Sequence, residues 1–216
     1  MHRRMFLISL LLGPMLVKSV PAFSASPERM VYRVQHPRYG NIGTYTNAVE
    51  KSGTLTTVTT EAHILVSVLG VVLYRQEIAR QERWDADRLV SFHGVTTVNG
   101  KTIELTGSAD GDRFVLMSPN GPIVAPASVR IANPWSADVL RGDTLLTPDR
   151  GRIENVRVKT TDETSLDING RTTRTKHYEI NRLDGTKRYE VWLDDQGTPV
   201  QFITYNPNGM VTFTLT

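Results

Sequence analysis

The stretch RYEVWLDDQGTPVQF, residues 188–202, alternates apolar and polar positions up to a turn and resumes beyond it. Tyr189, Val191 and Leu193 fall on one side, and Arg188, Glu190, Trp192 and Asp194 on the other. That period of two belongs to a half-buried strand. Asp195-Gln196-Gly197-Thr198 then has the composition of a tight connection. Gly197 tolerates a positive φ angle, and Pro199 opens the return strand where it donates no ladder hydrogen bond. Val200 and Phe202 share a face after the turn. Asp194 and Asp195 beside Trp192 raise the thought of an acid/base pair or a metal site, but turn formation accounts for both aspartates.

The same grammar runs through the chain. Tyr39-Gly40, Ser52-Gly53, Asp85-Ala86-Asp87, Asn99-Gly100, Asp110-Gly111-Asp112 and Asn120-Gly121 punctuate the first half. Asn169-Gly170, Asp184-Gly185, Gln196-Gly197 and Asn208-Gly209 punctuate the second. Such pairs supply the positive φ angles of short hairpin turns. Between them lie runs of roughly 7 to 14 residues rich in Thr, Val, Ile, Tyr and Phe. Met30, Tyr32 and Val34 oppose Arg33 and Gln35, while Val211, Phe213 and Leu215 oppose Thr212 and Thr214. The pattern predicts an all-β fold: a strongly curved antiparallel sheet or open barrel of roughly ten or more strands, with one short helix.

Two segments break the rhythm. HILVSVLGVVLY, residues 63–74, is apolar at positions of both parities. It is too short for a membrane span, which needs about 20 residues. It reads as a strand buried on both sides and bent at Gly70, with a loop tip that meets lipid or an apolar partner as the alternative. NPWSADVLRG, residues 133–142, reads as the short helix: Asn133 as N-cap, Pro134 in the first turn and Gly142 past the end. It lies in the one long stretch without hairpin signals, 128–150, and is expected to plug or cover one opening of the sheet.

The amino terminus carries an address. His2, Arg3 and Arg4 precede the apolar run 5–17, and small residues follow up to Ser24. This is the layout of a signal peptide, 1–24, cleaved after Ser24 or after Ala22, leaving one β-rich domain, 25–216. Without cysteine the chain has neither a lipobox nor disulfides. A periplasmic or secreted protein is expected, stabilised by its core alone. Of the 25 basic residues, Arg3, Arg4 and Lys18 belong to the leader, which leaves 22 against 22 acidic ones. The sequence pI of about 9.3 therefore makes no case for nucleic acid or for an anionic membrane surface.

Signatures of chemistry are sparse. His63, His93 and His177 stand apart, and of the three only His177 has a carboxylate two to four residues further on, Glu179; zinc needs three or four ligands. ADGDRF lacks the later ligands of a calcium loop, so no metal and no cofactor is expected. There is no Gly-x-Ser-x-Gly elbow, no phosphate-binding Gly-rich loop, and LDGT fits a hairpin. An uncharacterised hydrolase would need Glu82, His93, His177 and Glu179 to meet in space. The large aromatics near strand ends, Tyr74, Trp84, Trp135 and Trp192, are the candidate binding residues, with core packing as their alternative role.

Residues 70–101, with Tyr74-Arg75, Glu82, Trp84, Leu89, Thr96-Thr97 and Asn99-Gly100, resemble a pattern in a family of exported bacterial β-proteins of unknown function. YGNIGTY (39–45), DRGRIENVRV (149–158) and NGMVTFTL (208–215) extend the resemblance over most of the chain. Where the family has a Ser-aromatic-Trp step, this chain has IANPW. The resemblance implies a strand-rich layout similar to the half-barrels of periplasmic lipoprotein carriers, which enclose acyl chains under a short helix, and implies no catalytic residues. The expected function is that of an exported, non-enzymatic protein binding an apolar small molecule such as a lipid, or the apolar part of an envelope protein. A structural or interaction protein of the envelope is the alternative. No transmembrane span is expected in the mature chain.

Overall fold

The Thr-, Val- and Tyr-rich runs form strands, and the Asn-Gly and Asp-Gly pairs turn them. The computed structural model describes residues 27–206 and 209–216, so the expected signal peptide, 1–24, lies outside the described residues. Eight strands come first: β1 (Glu28–His36), β2 (Gly40–Ser52), β3 (Leu55–Val68), β4 (Val71–Asp85), β5 (Arg88–Val98), β6 (Lys101–Asp110), β7 (Arg113–Ser118) and β8 (Gly121–Pro126). A crossing segment follows, with β9 (Arg130–Ile131) and a 3₁₀ helix (Ala137–Arg141). Then come β10 (Thr144–Thr147), β11 (Arg152–Ile168), β12 (Arg171–Arg182), β13 (Lys187–Leu193), β14 (Pro199–Asn206) and β15 (Gly209–Leu215).

All belong to one curved, unclosed sheet in the order β8-β7-β6-β5-β4-β3-β2-β1-β15-β14-β13-β12-β11-β10-β9. Neighbours are antiparallel except β9 and β10. β1 pairs with β15, Tyr32 facing Leu215, and so joins the two meanders. Tyr32, Tyr45, Phe202 and Phe213 meet on the concave side, with edge-on contacts of 5.1 to 6.3 Å and a stacked Phe202–Phe213 pair at 4.3 Å. Aromatic pairs in these geometries add to the stabilisation from apolar burial. The connection in residues 194–198 is a turn: the Asp194 carboxylate accepts from the backbone N–H of Gln196 (2.9 Å) and Thr198 (2.8 Å), and Gly197 has φ +81°.

A meander places alternate turns at opposite ends. The β1–β2, β3–β4, β5–β6 and β7–β8 turns lie at one rim, and the Gln35–Thr212 pairing brings the β14–β15 connection to the same rim. The β2–β3, β4–β5, β6–β7 and β13–β14 turns lie at the other.

Two expectations are corrected. Residues 63–74 are not one doubly buried strand. They span the end of β3, a turn at Leu69-Gly70 and the start of β4, with φ of +50° and +81° at the turn. Gly70 turns the chain back on itself rather than bending it. Pairing of β3 with β2 stops at Ile64, and pairing of β4 with β5 starts at Gln76. Beyond those points β3 and β4 have no other partner strand, although the Arg75 backbone bonds to Asn99 in the β5–β6 turn, and the hairpin projects as a two-stranded finger. Its inner part is still enclosed, with Val66 in the main core and Tyr74 packed against it, so the exposed end of the finger is residues 67–73.

The helix is the second correction. It begins at Ala137, with Ser136 as its cap (Ser136 Oγ accepts from Asp138 N–H, 3.1 Å), and is of 3₁₀ type. Asn133 cannot cap it because its side chain is committed to hydrogen bonds inside the sheet. Gly142 does end the helix.

Candidate functional site

The concave side is filled. Residues 127–143 cross it, and Asn133 is the centre of their attachment. Its Oδ1 accepts from Tyr45 Oη (2.8 Å) and Asn47 Nδ2 (3.1 Å). Its Nδ2 donates to Thr60 Oγ1 (3.0 Å) and Glu82 Oε1 (2.8 Å). The other carboxylate oxygen of Glu82 accepts from the indole N–H groups of Trp84 (3.0 Å) and Trp135 (3.2 Å). Glu82, Asn47 and Thr60 are completely buried. Burial pushes the Glu82 carboxyl up to about 7, against the pull of the Asn133, Trp84 and Trp135 donors and of the nearby Arg80 charge. Arg130 lies over Trp84 at 5.4 Å and donates to the Asp87 carbonyl, tying the same segment to the β4–β5 turn.

Two small crevices lie beside this plug. One crevice, between Ala132, Pro134 and Val139 on the plug and Tyr189, Val191 and Phe202 on the wall, holds about 10 Å³. A second, beside Trp84 and Trp135, is of equal size. Each has room for about one water, far below the roughly 300 Å³ at which small-molecule sites begin.

Exposed apolar surface lies elsewhere. Leu65, Val68, Val71, Val72 and Leu73 on the finger are 42 to 61% exposed, and Leu69 at its tip is 99% exposed. Leu69 also holds φ +50°, a conformation that disfavours a branched side chain and that Asn, Gly or Ala occupies at the other two-residue turns. Tyr74 stands half-buried at the base, its hydroxyl donating to Gln76 (3.0 Å). Next to it Arg75 is fastened to the β5–β6 turn: its N–H donates to Asn99 Oδ1 (2.8 Å), and its carbonyl accepts from Asn99 N–H (2.9 Å).

The four aromatic candidates thus occupy three places. Tyr74 marks the base of the finger. Trp84 and Trp135 come together inside, ring centroids 6.2 Å apart, both bonded to Glu82. Trp192 lies on the convex side, buried against Ile168 and Val200 in a small second core and stacked on His177 at 4.2 Å.

The four residues a hydrolase would need do not converge. Glu82 faces inward. His93 is exposed on the opposite face of the sheet, 3.0 Å from Glu104. His177 bonds Glu190 (2.7 Å), and Glu179 pairs with Lys187 (2.8 Å). Burial would raise the Glu190 carboxyl, but hydrogen bonds from Tyr205, Lys187 and His177 outweigh it and hold the group below the ordinary carboxylate range. Among the described residues no three His, Asp or Glu side chains are placed to share a metal ion. The residues that sequence reasoning missed are Asn133, as the bonding centre of the plug, and Leu69, as the tip of the finger.

A family model described as Domain of unknown function (DUF6134) matches residues 38–216. Among curated proteins none matches the chain. Of the solved structures, a beta-barrel-like protein of Domain of Unknown Function DUF1849 from Brucella abortus is similar, with a TM-score of 0.64 and 11% identity. The alignment covers 89% of this chain and 97% of that one, a likeness of fold alone. A putative outer membrane lipoprotein-sorting protein domain from Vibrio parahaemolyticus aligns over 88% of this chain and 83% of its own, at 10% identity and a TM-score of 0.20, and carries no argument. Among the described residues no helix is long and apolar enough to cross a membrane.

Proposed function

We propose that this chain, which belongs to the family described as Domain of unknown function (DUF6134), is an exported, non-catalytic β-protein that binds the apolar part of an envelope partner through its β3–β4 finger. Leu69 carries the reading: a leucine 99% exposed, at positive φ, at the end of a projecting apolar hairpin. Both its exposure and its backbone conformation cost free energy in the isolated molecule, and contact with an apolar partner repays the first. The filled interior supports binding outside the barrel. The leader-like amino terminus and the absence of cysteine support export. Tyr74 contributes at the base of the finger, while Trp84 and Trp135 hold the scaffold rigid behind it.

A second reading, uptake of an apolar small molecule, is favoured by the apolar lining of the crevice between Ala132, Val139 and Phe202. It requires the plug to move, which breaks the hydrogen bonds at Asn133.

Fractionation of host cells tests the main reading. Wild-type protein is expected with the envelope fraction, and the triple variant Leu69→Ser, Val71→Thr, Leu73→Ser in the soluble fraction, with an unchanged thermal midpoint because these side chains support no core. Equal partitioning of the two proteins overturns it.

A further inference from the structure

We infer that the partner of the finger is the surface of an anionic phospholipid bilayer, on which the whole finger rim docks. The inference rests on the binding role proposed for the finger and names the chemistry of what it binds.

The outer end of the finger is apolar on both faces except for Ser67, which pairs with Val72, and Arg75 stands at its base opposite Leu65. Val68 and Val71 pair on one side of the hairpin, Leu65 and Val72 lie on the other, and Leu69 points off the end. A protein groove selects for one apolar face, whereas acyl chains surround an inserted element on all sides. Residues 65–74 contain no charged side chain. Their sequence ends in Tyr74-Arg75, an aromatic and a cation at the position where membrane-entering elements carry their interfacial anchors. The backbone edges of the finger pair with no other strand, so full immersion in hydrocarbon is unfavourable. Insertion to an interfacial depth of roughly 5 to 10 Å buries the tip and leaves those edges near the headgroups.

The rest of the rim matches. The strands flanking the finger are β2 and β5, and the turns at their ends of this rim carry Arg38 and Lys101. Arg38, Arg75 and Lys101 are exposed, and among the described residues none of them is in an ion pair. Of the other large apolar side chains left exposed, Tyr39, Met117, Leu183 and Met210 lie at or next to the turns of this rim, Leu55 lies at the opposite one, and Ile103 and Val124 lie within β6 and β8.

Charge is sorted in the same sense. Counting each hairpin or connecting turn with its two flanking strand-end residues, the finger rim carries Arg38, Lys101, Arg150, Arg152, Arg182 and Lys187 against Asp149 and Asp184. The opposite rim carries Asp85, Asp87, Asp110, Asp112, Asp194 and Asp195 against Arg88, Arg113, Arg130 and Arg171. The balanced total hides a molecule that is basic and apolar at one end and acidic at the other. Such a charge distribution orients the protein on an anionic surface without any net charge.

Vesicle co-sedimentation of the purified mature protein tests the inference. Vesicles of phosphatidylglycerol with phosphatidylethanolamine are expected to bind it at least tenfold more tightly than phosphatidylcholine vesicles, the advantage shrinking as salt is added. The triple variant Leu69→Ser, Val71→Thr, Leu73→Ser is expected to lose about a hundredfold. Arg38→Gln with Lys101→Gln is expected to lose about thirtyfold on the anionic vesicles alone. Asp110→Asn with Asp112→Asn, at the far rim, leaves binding unchanged. A wild-type protein that ignores anionic vesicles, or an Arg38/Lys101 variant that binds them like wild type, overturns the inference. If vesicles fail while finger-dependent retention in the cell envelope persists, the occupant is a protein: lipid docking is refuted and the binding role of the finger stands.

Discussion

Asn133→Ala is expected to lower the unfolding free energy by about 4 kcal/mol, enough to consume a large share of the stability of a domain this size. All four hydrogen-bonding capacities of the Asn133 amide are in use, and the residue is 1% exposed. Alanine leaves the Tyr45 hydroxyl and the Asn47 amide without this acceptor and Glu82 without one of its three donors. A buried polar group that loses its partner costs about 1 to 3 kcal/mol, and the vacated volume adds a cavity penalty.

The loss also acquires a pH signature. The Glu82 carboxyl has an ordinary value of 4.5 and is raised to about 7 in the folded protein, burial being the largest cause. An acid whose folded value lies above its unfolded value holds its proton more tightly when folded. Its contribution is therefore fully present below about 4.5 and is lost as the pH climbs through about 7. Removing the Asn133 donor removes one of the pulls that keep the value from rising further. The deficit of the variant is accordingly larger at pH 8 than at pH 5. Urea titrations at both pH values check this, with an unchanged m-value showing that the same cooperative unit unfolds. A deficit under about 1 kcal/mol at both would mean that the plug is not held through Asn133.

Gly43→Ala is the second large effect, about 3 kcal/mol or more. Gly43 sits in β2 at φ +150°, opposite Ile64 of β3. A Cβ there would lie 1.9 Å from the carbonyl oxygen of His63, a backbone atom that cannot rotate away. β2 and β3 must part, and they part where the finger leaves the sheet. Gly53, in the β2–β3 turn, has positive φ but open space around it, so Gly53→Ala serves as the mild counterpart, at about 1 kcal/mol. Thermal unfolding compares the two, and hydrogen exchange is expected to rise at residues 62–66 in Gly43→Ala. Equal midpoints for the two variants would contradict the argument.

Much of the architecture was legible because hairpins have local causes. The alternation in residues 188–193, the Asn-Gly pairs and Gly197 each act within a few residues, and the strands and turns lie where they indicate. The finger was misread because its turn uses Leu69-Gly70 in place of an Asn-Gly pair. Spacing held the missing signal: from Gly53 to Asp85 the chain runs more than twice as far as between most other turn signals, and Gly70 stands near the middle. The convex burial of Trp192 and the bonding of Asn133 were out of reach for a different reason. Ile168 meets Trp192, and Tyr45 and Glu82 meet Asn133, only after distant strands are assembled. Local periodicity carries no information about such partners. The charge sorting between rims lay in between. Its residues were visible in the turns, but their ends of the barrel follow only from the order of strands.

A photo-reactive amino acid placed at position 69, irradiated in living host cells, tests the central claim most directly. The account predicts that the probe at 69 forms adducts with an apolar envelope component, while the same probe at Leu55, exposed at the opposite rim, forms none. A protein that folds normally and gives no adduct at 69, or gives the same adducts at both positions, would contradict it.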